Sequence, residues 1–137
     1  MVVWPKSVVV YTDGASRGNP GPASIGVHIE DFSGITVFDH WEHVGLQTNN
    51  FAEYTAVIRG LQICAEQFVD EVTVKSDSEF MIRQLTGAYK VKSETIKPLF
   101  NQAKTLITKF KSVNLVHVRR EFNKIADELA NRALDEL

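Results

Sequence analysis

Short apolar runs separated by turn residues occupy the first 45 positions of the chain. Residues 7–12 read SVVVYT, a continuous β-branched run that is typical of a strand buried on both faces at the centre of a sheet. Two more strand patterns, at 23–31 and 35–44, flank the sequence FSG, whose serine and glycine suit a tight reversal. The pattern predicts three antiparallel strands in series.

A helical period replaces the strand pattern near position 50. The apolar residues that recur at spacings of four, three and four are Val57, Leu61, Cys64 and Phe68. They predict the buried face of a helix that a polar residue at 48–50 would cap. Further patterns predict a strand at 71–76, helices at 77–87 and 94–111, a strand at 113–118 and a helix at 123–137.

The resulting order of elements is βββαβααβα. Because right-handed crossovers between parallel strands need a covering helix, this order predicts an α/β protein with a five-stranded mixed sheet and helices on both faces. No linker or change of composition divides the sequence, so residues 1–137 are predicted to form a single domain.

The composition is that of a folded globular protein. The 137 residues are 44% hydrophobic and 23% charged, which excludes disordered and fibrous classes. No apolar run reaches the roughly 20 residues of a membrane helix, and the N-terminus lacks the basic start and cleavage site of a signal peptide. We therefore expect a cytoplasmic protein without a membrane partner, and we expect a monomer.

Charge is distributed unevenly along the chain. Residues 90–124 contain nine Lys or Arg and two acids, whereas the rest of the chain contains six bases and fifteen acids. This asymmetry can place a cationic surface that binds phosphates beside an anionic metal site. A solvated, lysine-rich face on the helix at 94–111 is the alternative interpretation.

Two aspartates follow predicted strands. Asp13 ends the first strand, and Asp77 ends the fourth strand just before a helix. Ligands of open α/β sheets bind in the crevice outside the carboxyl ends of the strands. The two carboxylates should therefore lie side by side if their strands are neighbours.

Glu53 and Asp127 fall near the starts of two predicted helices. Glu53 precedes Val57 by four residues and so heads the buried face, where a charge must be paired, hydrogen-bonded or bound to a metal. Each acid also has a plainer interpretation. Glu53 could satisfy amide groups in the first turn, and Asp127 could interact with the helix dipole.

The four carboxylates together form an all-oxygen set. Such a set suits a hard divalent ion, Mg²⁺ or Mn²⁺. Carboxylate clusters of this size commonly hold two ions about 4 Å apart, which act on the attacking water and the leaving oxygen of a phosphodiester. The histidines accompany no carboxylate motif and are predicted to be structural or surface residues; they are His28, His40, His43 and His117.

Four motifs resemble the type 1 ribonuclease H family in their order and spacing: TDGASRGNPGPA, TNNFAEYTAVIRGL, SDSEF and HVRREFNKIADELANRAL. The resemblance covers nearly the whole chain and is greatest to the compact bacterial and archaeal branch, because no long basic insertion separates the two helices after Asp77. It implies a ribonuclease H-like fold and an endonuclease that cuts the RNA strand of RNA–DNA hybrids. Two Mg²⁺ or Mn²⁺ ions would act in this cleavage, which leaves 5′-phosphate and 3′-hydroxyl ends.

The resemblance implies roles for individual residues. The positions that match the family's metal-binding carboxylates are Asp13, Glu53, Asp77 and Asp127. The glycines of GASRGNPG would let the loop backbone approach the substrate. Recognition of RNA involves its 2′-hydroxyl groups, which short polar side chains suit. The predicted nucleic-acid contacts are Gly14, Ser16, Arg17, Asn19, Thr48, Asn49, Asn50, Ser78, Glu79, Lys90, Lys92 and Asn123.

The sequence departs from the family pattern in the loop before the last aspartate. Many relatives carry a histidine there, whereas VRRE offers Arg119 or Arg120. Arginine cannot act as a base near neutral pH, so we assign Arg120 to phosphate or metal-release electrostatics. Glu79 stands where several relatives have glutamine, and Lys90 and Lys92 would replace the missing basic insertion as a phosphate grip, with Lys97 as a further candidate.

Two other functions fit parts of the sequence. A non-catalytic hybrid-binding module would be expected to have lost at least one carboxylate, and all four are present. An integrase or resolvase core would use the same metal chemistry on DNA, but the GNPG and TNN stretches count against it.

Overall fold

The computed structural model describes residues 3–137, which form one five-stranded sheet and four α-helices. The strands are β1 (Ser7–Ser16), β2 (Gly21–Asp31), β3 (Thr36–Gln47), β4 (Glu71–Ser76) and β5 (Ser112–His117). The helices are α1 (Asn49–Glu66), α2 (Glu79–Leu85), α3 (Lys97–Ile107) and α4 (Lys124–Asp135). A 3₁₀ turn at Arg120–Phe122 precedes α4. The predicted order of elements is confirmed.

The strands lie in the order β3-β2-β1-β4-β5, so β1 is central, as its continuous apolar run predicts. The first three strands form an antiparallel meander, and β4 and β5 add to it in parallel. The mixed sheet is therefore confirmed.

Helices α1 and α4 cover opposite faces of the sheet at β2. On one face, Val27 packs toward α1: a Cβ atom added at Gly60 of this helix would lie 3.5 Å from Val27 Cγ1. The neighbouring Gly26 faces α4 so closely that a Cβ there would lie 2.2 Å from the carbonyl oxygen of Ala126. Because successive strand residues point to opposite faces, the two contacts place one helix on each side of the sheet.

The C-terminal end of α1 differs from the prediction. The helix ends at Glu66, and Phe68 is 78% exposed with a φ of 57°, so it does not complete the buried face. Val69 enters the core instead, and its N–H donates to the carbonyl of Cys64. The turn after α1 thus exposes Phe68 and buries Val69.

Helix α3 is shorter than the predicted 94–111. It spans Lys97–Ile107, with Pro98 in its first turn, where the missing backbone donor does least harm. Over residues 3–137, no helix combines the length and the apolar character that crossing a bilayer requires.

Candidate active site

Asp13 and Asp77 occupy equivalent positions on two neighbouring parallel strands. The pairing of β1 with β4 ends at Thr12 and Ser76, so each aspartate is the next residue after the last parallel pair. β1 nevertheless continues to Ser16, because β2 pairs with it antiparallel over its whole length. The prediction that Asp13 ends its strand is therefore wrong, while the expected proximity of the two carboxylates is confirmed.

Glu53 reaches the same place from α1. The cap of this helix is Thr48, whose hydroxyl oxygen accepts a hydrogen bond from the Phe51 N–H at 3.2 Å. Glu53 is only 6% exposed, and the backbone N–H of Gly14 favours the charged form of its carboxyl and so lowers its pKa. Among the described residues its Oε2 has no hydrogen-bond partner. A buried carboxylate oxygen without a partner is costly unless a ligand satisfies it, so the capping interpretation is wrong for Glu53.

Gly14 allows α1 and β1 to approach each other at this point. A Cβ at Gly14 would lie 2.4 Å from the carbonyl carbon of Ala52 and 2.4 Å from the nitrogen of Glu53. Real side chains cannot occupy that space, so the residue after Asp13 must be glycine for Glu53 to lie beside it. The first requirement at Gly14 is packing within the protein rather than the predicted approach of substrate.

The carboxylates surround one cavity of about 440 Å³. Ligand oxygens of Asp13, Glu53 and Asp77 lie within 4.8 Å of one another. Asp127, in the first turn of α4, lines the same cavity and contributes to the raised pKa of Asp13. The four acids therefore converge, with three in a tight cluster and Asp127 beside it.

The environment raises the pKa of two of these acids. Burial raises the pKa of Asp13, and the nearby charges of Glu53 and Asp77 raise it further. Burial followed by the charge of Asp77 likewise raises the pKa of Glu53. A divalent cation among the carboxylates would favour their charged forms, so the donor set and its electrostatics fit a metal ion.

These shifts predict how the metal-free protein responds to pH. An acid whose pKa is raised by folding stabilises the folded state most when both states are protonated, and this contribution is lost as pH rises through the folded pKa. In a chelator, the melting temperature should therefore fall from pH 5 to pH 9 more steeply for the wild type than for Asp13→Asn. Added Mg²⁺ or Mn²⁺ should restore more stability at pH 9 than at pH 5. Identical pH profiles for the two proteins would contradict this prediction.

Two basic side chains line the same cavity. Arg120 comes from the 3₁₀ turn and His117 from the last position of β5, opposite Ser76. Arg119 has a side chain that is 80% exposed and lies 3.8 Å from Glu121, so of the two arginines the structure directs Arg120 to the site. His117 is exposed, in agreement with its prediction as a structural or surface residue, but the sequence did not predict that it would line this cavity. Its place at the end of a parallel strand, beside the Asp77 strand, was the available signal.

The other histidines lie elsewhere. His28 is buried, and its ring nitrogens lie 2.5 Å from an Asp39 oxygen and 2.8 Å from a Glu30 oxygen. His40 lies 2.9 Å from a carboxylate oxygen of Glu42. These contacts agree with structural roles.

The two predicted substrate-contact segments are fastened to each other. The Asn49 N–H donates to Asn19 Oδ1 at 3.0 Å, and the Ser16 hydroxyl lies 3.0 Å from the Gln47 carbonyl. Ser16 and Asn49 line the carboxylate cavity. An adjoining depression of about 400 Å³ is lined by Asn19, Asn49, Asn50, Glu53, Asp77, Ser78 and Phe80. Most of the predicted short polar contacts thus border the carboxylates.

A larger cavity, which we call the aromatic cavity, lies next to this depression. It has a volume of about 720 Å³ and is lined by Asn50, Phe80, Gln84, Ala88, Tyr89, Lys90, Lys92 and Ser93. The rings of Phe80 and Tyr89 lie 6.0 Å apart. Both predicted lysine contacts therefore lie on one surface together with two exposed aromatic rings.

Asn123, by contrast, has a buried side chain that no substrate can reach. It is 1% exposed, and its Nδ2 donates to the carbonyl of Thr12 at 2.9 Å. Its side chain therefore joins the start of α4 to β1 next to Asp13. The prediction of a direct nucleic-acid contact is wrong for Asn123.

Two further predicted contacts are paired within the protein. Glu79 Oε2 lies 3.0 Å from Arg83 one turn later in α2. Arg17 lies 2.5 Å from a carboxylate oxygen of Asp135, the last residue of α4. Both pairs are exposed, so a ligand can compete for either arginine.

Comparisons with known proteins agree with this arrangement. Residues 11–133 match the family model described as reverse transcriptase-like. Ribonuclease HI of Halobacterium salinarum is 40% identical over 129 residues, which cover 94% of this chain and 65% of the relative. A ribonuclease H of Coxiella burnetii is 34% identical over 146 residues, with coverage of 95% and 91%.

Solved structures give the same result. The crystal structure of the Halobacterium salinarum ribonuclease H1 superposes with a TM-score of 0.93 at 39% identity, covering 96% of this chain and 99% of that chain. LC11 ribonuclease H1, solved in complex with an RNA/DNA hybrid, superposes with a TM-score of 0.90 at 43% identity, covering 94% and 97%.

The five-stranded mixed sheet and its helices are a ribonuclease H-like fold. The chain belongs to the type 1 ribonuclease H family, which confirms the resemblance of its four motifs. It spans 65% of the length of the Halobacterium relative and 35% of the mycobacterial relatives that it matches at 39% identity.

Proposed function

We propose that this chain is an endonuclease that hydrolyses the RNA strand of RNA–DNA hybrids in a reaction that depends on Mg²⁺ or Mn²⁺. One observation carries the proposal: the buried Asp13 and Glu53 and the half-buried Asp77 converge within 4.8 Å, and no Lys or Arg forms an ion pair with any of the three among the described residues. Folding acids against their own repulsion is costly, and metal binding is the function that explains it. The similarity to ribonucleases H supports the choice of substrate.

The four carboxylates would hold the metal ions. Asp13 and Asp77 offer oxygens from neighbouring strands, Glu53 offers the buried oxygen that lacks a partner, and Asp127 offers its carboxylate from α4. Bound in a pair, divalent ions supply the positive charge that activates a water and stabilises the leaving oxygen of a phosphodiester. The protein's part is to fix these acids before substrate arrives, through the β1–β4 register, the Gly14 contact and the Asn123 anchor.

The polar rim would position the RNA strand. The Asn49 N–H donates to Asn19 Oδ1 and the Ser16 hydroxyl donates to the Gln47 carbonyl, so these residues present a fixed set of short polar groups beside the acids. Such groups can read the 2′-hydroxyls that distinguish RNA from DNA. Arg120 lines the same cavity and would contact a phosphate, because its guanidinium matches phosphate geometry and stays charged.

The aromatic cavity would receive the second strand of the hybrid. It adjoins the depression beside the acids through Asn50 and Phe80, which line both. Sugars and bases pack on aromatic rings, and lysines neutralise phosphates. Lys90 and Lys92 would therefore bind the phosphate backbone of this strand.

This assignment predicts the effect of removing the two lysines. A Lys90→Gln/Lys92→Gln variant should raise KM for the hybrid about tenfold while kcat at saturation changes little, because ground-state and transition-state binding are lost together. The slope of log affinity against log salt should become shallower by roughly two, one for each phosphate contact. Lys109→Gln removes the same kind of exposed charge from the turn after α3 and should leave both values unchanged. If Lys109→Gln changed KM and the salt slope as much as the double variant does, the effect would come from net charge and not from phosphate contacts of Lys90 and Lys92.

A cleavage assay tests the proposed function. End-labelled RNA–DNA hybrid, RNA duplex and DNA duplex are incubated separately with Mg²⁺ or Mn²⁺, with a chelator as control. We expect metal-dependent cuts within the RNA strand of the hybrid that leave 5′-phosphate and 3′-hydroxyl ends. Preferred cutting of DNA duplex would favour an integrase- or resolvase-like nuclease, and binding of hybrid without cutting would favour a non-catalytic module.

We propose that residues 1–137 act as one catalytic domain, as a monomer and in the cytoplasm. Sedimentation of the purified chain tests the monomeric state. Some relatives are longer than this chain. The same cleavage assay, applied to a longer protein, tests the activity of that protein.

A further inference from the structure

Arg17 and Asp135 form an exposed ion pair between the β1–β2 loop and the end of α4, with an Nη2–Oδ1 distance of 2.5 Å. We propose that Asp135 is an affinity-determining residue: its carboxylate occupies the guanidinium that would otherwise bind a backbone phosphate of the RNA–DNA hybrid. The inference rests on the proposed function, and it assigns to Asp135 the part of a built-in competitor of substrate.

The location of Arg17 supports a phosphate contact. It follows Ser16, which lines the carboxylate cavity, and precedes Asn19, which lines the adjoining depression. A nucleic-acid backbone that reaches both neighbours passes within reach of an arginine between them. A guanidinium binds carboxylate and phosphate through the same planar donor geometry, so one can replace the other.

The loop does not depend on this ion pair for its shape. The Arg17 N–H donates to the Pro22 carbonyl at 2.9 Å, and Ser16 and Asn19 are fastened to the segment before α1. Exposed ion pairs contribute little to stability. Removing the Asp135 carboxylate should therefore free the Arg17 side chain without disordering the loop.

The C-terminal end of α4, which carries Asp135, is also held in place independently of Arg17. The last turns of α4 pack on Trp41, whose ring lies 4.8 Å from the Arg132 guanidinium and whose Nε1 donates to Glu136 at 3.3 Å. Asp135 therefore stays near Arg17 when substrate binds. A phosphate must displace this carboxylate and then lie close to its negative charge, and both effects weaken binding.

Fluorescence anisotropy with a labelled RNA–DNA hybrid tests the inference. All proteins carry Asp13→Asn and the buffer contains chelator, so cleavage does not interfere. Asp135→Asn should bind the hybrid about two to five times more tightly at low salt. The plot of log affinity against log salt concentration should become steeper by up to about one, as one added phosphate contact predicts. Arg17→Gln should weaken binding, and adding Asp135→Asn to Arg17→Gln should then give no gain.

Glu128→Gln is the matched control, because Glu128 is an exposed acid of the same helix with no ion pair among residues 3–137. Glu128→Gln changes the net charge by the same amount as Asp135→Asn and should increase the affinity for the hybrid clearly less. The inference is overturned if Asp135→Asn binds equally or more weakly, if Glu128→Gln gains as much, or if the gain persists without Arg17. Failure of every variant to prefer hybrid over DNA duplex would overturn the proposed function as well, whereas a hybrid preference without the Asp135 effect overturns this inference alone.

Discussion

Asp13→Asn is expected to lower the rate of hybrid cleavage by roughly 10³-fold or more, as loss of a group that acts as part of a catalytic unit does. Asp13 offers a ligand oxygen within 4.8 Å of those of Glu53 and Asp77, and Asp127 lines the same cavity. Asparagine keeps the shape but removes the negative charge that binds metal. Because burial already raises the pKa of Asp13, the variant should be at least as stable as the metal-free wild type at neutral pH.

Three measurements on one preparation separate the possible causes of lost activity. Single-turnover cleavage reports the chemistry, anisotropy reports hybrid binding and thermal melting reports the fold. Asp70→Asn makes the same chemical change at an exposed site at the opposite end of the sheet and should cleave like the wild type. Cleavage by Asp13→Asn within tenfold of the wild type would contradict the assignment of this carboxylate.

Gly14→Ala is expected to destabilise the protein by about 3 kcal/mol or more and to abolish most activity. The new methyl group would lie 2.4 Å from backbone atoms of Ala52 and Glu53, which cannot rotate away as a side chain can. Relief requires α1 to move off β1, and that movement separates Glu53 from Asp13. Chemical denaturation measures the first effect, and cleavage by the protein that remains folded measures the second.

Gly60→Ala is the control for this prediction. Gly60 lies in the same helix, but the nearest atom to its added methyl group is a Val10 side-chain carbon at 3.0 Å, which can adjust. Alanine also has a helix propensity about 1 kcal/mol better than glycine, so the net change should be small. Equal stability losses for Gly14→Ala and Gly60→Ala would contradict the argument that close backbone approach at Gly14 builds the site.

Local pattern was sufficient to predict most of the fold. The β-branched run in β1, the turn before β3 and the apolar period of α1 each specify their own element, and the order of elements then restricts the sheet to few topologies. The end of β1 could not be predicted in this way. Residues 13–16 look like a turn because they contain glycine and serine, but pairing with β2 holds them in a strand. Phe68 shows the same limit, since a tight turn rather than the helical period determines its exposure.

The four acids were predictable because each falls within a recognisable motif, next to a predicted strand end or near a predicted helix start. The side chains that complete the site were harder to predict. His117 begins the motif HVRREFNKIADELANRAL, but its place in the cavity depends on the pairing of β5 with β4, which no local pattern shows. Asn123 lies inside a matching motif, yet its amide is directed to the Thr12 carbonyl. The pairing of Arg17 with Asp135 joins residues 118 positions apart, and no local pattern relates them.

Anomalous scattering from Mn²⁺ tests the central claim most directly. Crystals of the wild-type protein with bound RNA–DNA hybrid, grown in chelator so that the RNA strand stays intact, would be soaked briefly in Mn²⁺ and measured near the manganese edge. The account predicts two peaks about 4 Å apart among the side chains at positions 13, 53, 77 and 127, next to a phosphate of the RNA strand. Ordered hybrid at this surface with no anomalous peak among those four side chains would contradict it.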